Sequence, residues 1–159
     1  MTRITRVHRW LPVVFALVAA SHAAHADDRL RRAVPLLPAY SQECAACHVA
    51  YPPGMLPSDS WRRLLNDLPR HYGTDASLDP ATVKELATWL NANAGTYKRV
   101  RETPPEDRIT KSAWFIRKHD EVPGAVWQRP AVKSAANCTA CHMQASQGDF
   151  NEHSVRIPR

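Results

Sequence analysis

All four cysteines of this 159-residue chain fall into two copies of one pattern, Cys-x-x-Cys-His: Cys44-Ala45-Ala46-Cys47-His48 and Cys138-Thr139-Ala140-Cys141-His142. This is the attachment sequence for a c-type haem. Two thiols add across the two vinyl groups of a porphyrin, and two intervening residues in a helical turn hold the sulfurs at the matching separation. The histidine that follows is then aimed at the iron as its proximal ligand. One such pattern could be chance, but two that consume every cysteine constrain the fold strongly, because the chain must wrap two flat apolar discs. Structural zinc fits poorly: 90 residues separate Cys47 from Cys138, where zinc modules usually have about 15–20, and both histidines would go unexplained. A redox dithiol should open a helix after a strand within a βαβ pattern, and no such strand pattern is present.

The first 26 residues read as an export signal. Arg3, Arg6 and Arg9 form a basic start, the stretch from Leu11 to Ala20 is apolar apart from Pro12, and Ala24-His25-Ala26 is a small-x-small cleavage site. An uncleaved anchor would need about 20 apolar residues to cross a bilayer, so the mature protein is expected to be soluble and periplasmic, with no membrane span after cleavage. Cleavage after Ala26 removes three of 21 basic residues and no acidic one, so the formal charge drops from +6 to +3. Two haems bring four propionates, about one negative charge each near neutral pH, which takes the net charge to about −1 and leaves no basic-patch case for a nucleic-acid partner. In the oxidising compartment beyond the membrane four thiols would ordinarily pair as disulfides; the motif spacing argues for thioethers instead.

An iron with one proximal histidine can stay five-coordinate or take methionine or a second histidine. The mature chain keeps five histidines: His48 and His142 in the motifs, and His71, His119 and His153. His71 follows a segment, 60–68, in which Trp61, Leu64, Leu65 and Leu68 make an amphipathic stripe, with Ser58 or Asp59 as its cap and Pro69 as its stop. His119 ends the stretch 111–119, which contains Trp114, Phe115 and Ile116 and is capped by Thr110 or Ser112. Each lies 23 residues from a proximal histidine, His48 to His71 and His119 to His142, enough for a helix and a return turn. His71 and His119 are therefore expected as the distal ligands; which serves which iron is open, and a crossed arrangement is compatible with the spacing. His153 sits in a polar stretch and reads as solvated. Met143 adjoins His142 and cannot reach the opposite face of the same haem. Met55, seven residues after His48, could at best serve the other haem and reads as a packing or surface residue. Two irons each with two histidines imply low potentials, since methionine is the ligand that raises them.

Elsewhere Asp79 and Pro80 read as the cap and first residue of a helix carrying Val83, Leu86, Ala87 and Leu90 on one face, with Gly95 as its stop. The charged stretch 98–107, broken by Pro104-Pro105, reads as the boundary between two lobes, 27–97 and 108–159, each carrying one haem. Thirteen prolines and no sustained alternation argue against a sheet. The expected fold is all-α: two small irregular helical lobes, each built around its haem, with Trp89, Trp114 and Trp127 as packing residues and an apoprotein that folds poorly.

With both motifs, the segment "LPRHYG", the stretch "RITKSAWFIRKHDE" and the C-terminal block "NCTACHMQASQGDFNEHSVRIPR" in place, nearly all of the mature chain resembles the small dihaem cytochrome c family of bacterial periplasms. The resemblance implies an all-α fold of two haem lobes and bis-histidine iron, with His48 and His142 proximal and His71 and His119 distal. It also implies redox partners such as an oxygen-binding monohaem cytochrome or an inner-membrane b-type cytochrome. The functional expectation is an electron carrier rather than an enzyme. A dihaem peroxidase or small-molecule reductase would require an open iron position, and two spare histidines for two irons count against one. A redox or gas sensor would need a signalling domain, and none accompanies the motifs.

Overall fold

The computed structural model describes residues 34–159; the export signal read at residues 1–26 lies outside them. Within this range the chain forms five α-helices, α1 (Pro38–Cys44), α2 (Ser58–Asn66), α3 (Pro80–Asn93), α4 (Ala113–Lys118) and α5 (Gly124–Trp127), with short 3-10 turns between α1 and α2, α2 and α3, and α3 and α4, and after α5. No strand forms among the described residues; the only ladder feature is an isolated bridge between His71 and Thr74. None of these helices is long and apolar enough to cross a membrane.

The longest helix, α3, begins as its local sequence dictates. Asp79 Oδ1 accepts from the amides of Ala81 and Thr82 at 2.9 and 3.0 Å, and Pro80 takes the first helical position, where no amide is needed. Ser112 likewise caps α4 by accepting from Phe115 N at 3.2 Å, which selects it over Thr110. The start of α2 differs from expectation: Pro57 is the cap residue and offers no side-chain bond. Ser58 Oγ instead donates to Asn91 Oδ1 on α3 at 2.6 Å, and Asp59 pairs with Arg62 at 3.0 Å. α3 ends at Asn93 with Ala94 as its C-cap, and Gly95, just beyond, is fixed by tertiary contacts. Its amide donates to Leu56 O at 2.9 Å, and a Cβ there would fall 2.5 Å from Gly54 O and 2.5 Å from Val100 Cγ1. The position requires glycine because two backbone segments meet at it.

Helices α1, α2 and α3 enclose one hydrophobic core of Tyr40, Ala50, Leu56, Trp61, Leu86 and Leu90. Leu86 and Leu90 come from the predicted apolar face of α3 and are almost fully buried, each contributing about 1.5–3 kcal/mol. The two large aromatics in this core have their polar ends satisfied, Tyr40 Oη donating to Tyr51 O and Trp61 Nε1 to Pro53 O, both at 2.7 Å. The buried apolar residues of the C-terminal part, Phe115, Val126, Val132 and Ala145, lie outside this cluster. The 98–107 stretch is tied down at its end: the Arg63 guanidinium grips Asp107 through two bonds of 2.7 and 2.9 Å, and Tyr72 Oη donates to Glu106 O at 2.9 Å.

Candidate haem-binding sites

The first Cys-x-x-Cys-His motif starts on the last residue of α1, Cys44, and continues as a turn. The second forms a 3-10 turn over Cys138–Ala140, in which the amides of Cys141 and His142 both donate to Cys138 O, at 3.2 and 2.8 Å. In both places the two thiols and the imidazole are gathered on one short turn, as thioether attachment requires. None of the four cysteines pairs in a disulfide, and before attachment burial pushes the thiols of Cys44 and Cys138 up to about 11.

Opposite each motif histidine stands another imidazole. The ring centres of His48 and His71 are 6.3 Å apart, and those of His119 and His142 are 6.2 Å apart. The uncrossed arrangement is thus the one the structure brings together. By comparison, rings in direct contact here sit closer, Phe115 and His119 at 4.0 Å and His48 and Tyr51 at 4.7 Å. A bond from imidazole nitrogen to a first-row ion such as zinc is about 2.0–2.1 Å, so two such bonds plus the two ring half-widths come to about 6–6.5 Å. Each pair is therefore spaced as two axial ligands would be.

No group of three or more His, Cys, Asp or Glu converges on one point among the described residues. Each pair supplies two donors, and an ion held there would take its remaining ligands from a macrocycle, whereas structural zinc needs four from protein.

The protonation states suit ligation. His48 Nδ1 meets Val49 O at 2.7 Å and His119 Nδ1 meets Phe115 O at 2.9 Å, which places the proton on Nδ1 and leaves Nε2 with a free lone pair. Burial holds His71 and His142 below the ordinary histidine range, reinforced at His71 by the charges of His48 and Arg108 and at His142 by that of His119. Their Nδ1 atoms are buried with no protein partner.

The turn carrying His71 is held from several directions. Thr74 N donates to His71 O at 3.1 Å, and Tyr72 sits at φ 52°, a left-handed conformation rare for a bulky residue. Its ring is kept there by the bond to Glu106 O and by the Arg108 guanidinium, 3.9 Å above the ring centre. The sequence did not single out these flanking aromatics as a set: Tyr51 on His48, Tyr72 on His71, Phe115 and Trp127 on His119, and Phe150 on His142. Tyr51, Tyr72 and Phe115 lie within four positions of the histidine they touch, the signal that could have found them.

Tyr51 also reaches across the molecule, its hydroxyl donating to Ala136 O, two residues before Cys138, at 2.8 Å. Of the alternative ligands, Met55 is buried beside the core while Met143 is 64% exposed. His153 is exposed on a 3-10 turn.

A family profile described as dihaem cytochrome c matches residues 40–150. Among solved structures, a dihaem cytochrome type c from Shewanella baltica OS155 is 38% identical with a TM-score of 0.68, over 79% of this chain and 95% of that one. A structure of DHC purified from Rhodobacter sphaeroides is 43% identical with a TM-score of 0.64, over 74% of this chain and 99% of that one. A second dihaem cytochrome c structure from Rhodobacter sphaeroides is 40% identical with a TM-score of 0.65, over 74% and 98%. The curated proteins contain no match. Two attachment turns, a strand-free helical fold and this similarity over most of the chain agree, and the chain belongs to the dihaem cytochrome c family, with two covalently bound haems on Cys44 and Cys47 and on Cys138 and Cys141.

Proposed function

We propose that this electron-transfer haem protein is a periplasmic carrier in which both irons are ligated by two histidines: His48 proximal and His71 distal on one, His142 proximal and His119 distal on the other. The observation that supports this reading is the pair of facing imidazoles at 6.3 and 6.2 Å. The proposal extends to two lobes, residues 27–97 and 108–159, joined by 98–107. It also includes low reduction potentials and exchange of single electrons with redox proteins, such as an oxygen-binding monohaem cytochrome or an inner-membrane b-type cytochrome.

When bound, the haem supplies an iron that gains and loses one electron. The residues of this chain keep it from doing more. His48 with His71 and His142 with His119 would each hold an iron between two imidazoles, leaving no position open to a substrate, and such a centre would change charge with little rearrangement. The carbonyls of Val49 and Phe115 fix the tautomers of His48 and His119 and make their ligating nitrogens more basic. The stacked rings of Tyr51 and Phe115 hold His48 and His119 in place.

Carbon monoxide titration of the reduced protein tests the reading. No binding is expected at neutral pH, and rapid binding at one haem would replace the carrier with an enzyme. His71→Ala and His119→Ala should each open one iron to carbon monoxide, while His153→Ala should leave both spectra unchanged. An open iron in His153→Ala would overturn the ligand assignment.

A further inference from the structure

The two histidine pairs match in spacing but not in orientation. The ring planes of His48 and His71 are inclined by 21°, those of His119 and His142 by 72°. In each pair one ring takes its plane from a stacked neighbour. His48 lies within 23° of the Tyr51 ring at 4.7 Å, and His119 lies within 21° of the Phe115 ring at 4.0 Å. Phe115 is buried, and its own carbonyl accepts from His119 Nδ1 at 2.9 Å, so ring and backbone of one residue fix both the tilt and the rotation of the imidazole. Trp127 covers the same ring at 5.9 Å, and on the other side of the pair Phe150 sits 5.5 Å from His142.

We infer that the two irons differ in the mutual orientation of their axial imidazoles, near-parallel at His48 and His71 and crossed at His119 and His142, and that Phe115 is the positioning residue that holds the crossed arrangement. This rests on the bis-histidine ligation proposed above. An imidazole interacts with the iron d orbital whose lobes lie perpendicular to the ring plane. Parallel rings act on the same orbital and split the two π-type orbitals widely. Crossed rings act on one each and leave them nearly equal in energy. The splitting controls the magnetic anisotropy of oxidised low-spin iron: a wide one gives three resolved g values, and a narrow one gives a single broad feature at high g. The same interaction raises one filled orbital at the parallel site and eases its oxidation, a contribution that pulls the N-terminal iron to the lower potential.

The test is low-temperature electron paramagnetic resonance of the oxidised holoprotein, with the near-infrared charge-transfer band recorded alongside to report ligand type. Two low-spin signals of equal intensity are expected, one with three resolved g values and one with the high-g feature alone. His71→Ala should remove the resolved signal and spare the other. Phe115→Leu should move the high-g feature toward a resolved spectrum without touching the first signal, and Phe115→Tyr, which keeps the stacked ring, should retain it. Two resolved signals in the native protein would overturn the inequivalence, as would loss of the high-g feature in His71→Ala. An unchanged high-g feature in Phe115→Leu would overturn the role of Phe115. High-spin iron or a thioether-type near-infrared band in the native protein would instead refute bis-histidine ligation itself, a distinct result.

Discussion

Replacing Gly95 with alanine should destabilise the holoprotein by about 1–4 kcal/mol, although the new side chain is a single methyl group. The added Cβ would lie 2.5 Å from Gly54 O and from Val100 Cγ1, and 3.0 Å from Val100 Cβ, where a carbon–oxygen contact normally stands at about 3.3–3.6 Å. Neither neighbour can yield freely. Val100 is buried, and Gly54 O is backbone that already accepts the Tyr97 hydroxyl at 2.8 Å, while Gly95 is itself held by its bond to Leu56 O. Overpacking of this kind costs about 1–3 kcal/mol, and weakening the Tyr97 bond adds about 0.5–1.5 kcal/mol. The restricted unfolded chain returns only about 0.4–1 kcal/mol. Gly124, at the start of α5, is the control, since a methyl group added there would meet no heavy atom within 4 Å, and Gly124→Ala should be neutral or slightly stabilising. Guanidinium unfolding followed by far-ultraviolet circular dichroism reads both. For a chain of this size each kcal/mol moves the melting temperature by about 3–5 °C. A Gly95→Ala protein as stable as the native one would refute the steric reasoning.

Leu86→Ala, which hollows the centre of the N-terminal core, should cost about 2–5 kcal/mol in the same assay. Ser112→Ala should cost about 0.5–2 kcal/mol by uncapping α4, with the change confined to stability if the cap serves only the helix. The hydrogen bond from Arg63 holds the Asp107 carboxyl below the usual carboxylate range. A folded-state value depressed in this way contributes stability that is present above the unfolded value, about 3.9, and is lost as pH falls through the folded one. The stability difference between the native protein and Asp107→Asn should therefore stay flat from about pH 7 to 5 and shrink below about 4. Its size should be about 0.2–1 kcal/mol, because Arg63 is 45% exposed. A difference that grows toward low pH would contradict that sign.

What the sequence makes legible is mostly local. Asp79 and Pro80 announce α3 because a cap and a ring-locked first residue act within three positions, and the Leu86 and Leu90 face follows from helical period alone. The cap of α2 is not legible because Ser58 has a better partner, Asn91, 33 residues away, and such competition leaves no trace in the nearby residues. Gly95 reads as a stop, and α3 does end two residues before it, but what requires glycine there is contact with Gly54 and Val100, again a tertiary matter. Spacing narrows the facing histidines to two candidates without choosing between crossed and uncrossed pairs; that choice depends on how α2 and α4 are folded back. The stretch 98–107 is legible as a break in pattern, but not the grip of Arg63 on Asp107, since a two-bonded ion pair 44 residues apart has no local signature.

The uneven distribution of apolar side chains has a consequence for how the two ends of the chain tolerate change. In the N-terminal part, interlocking residues such as Tyr40, Trp61 and Leu86 define one another's shape, so a loss at one place can be compensated at another. The buried side chains of the C-terminal part lie outside that core, and there Phe115 and Trp127 pack around His119, a ring that a bound, rigid haem would hold fixed. Substitutions there must fit a fixed template, and drift in that half is governed by the outline of the prosthetic group rather than by exchange among neighbours.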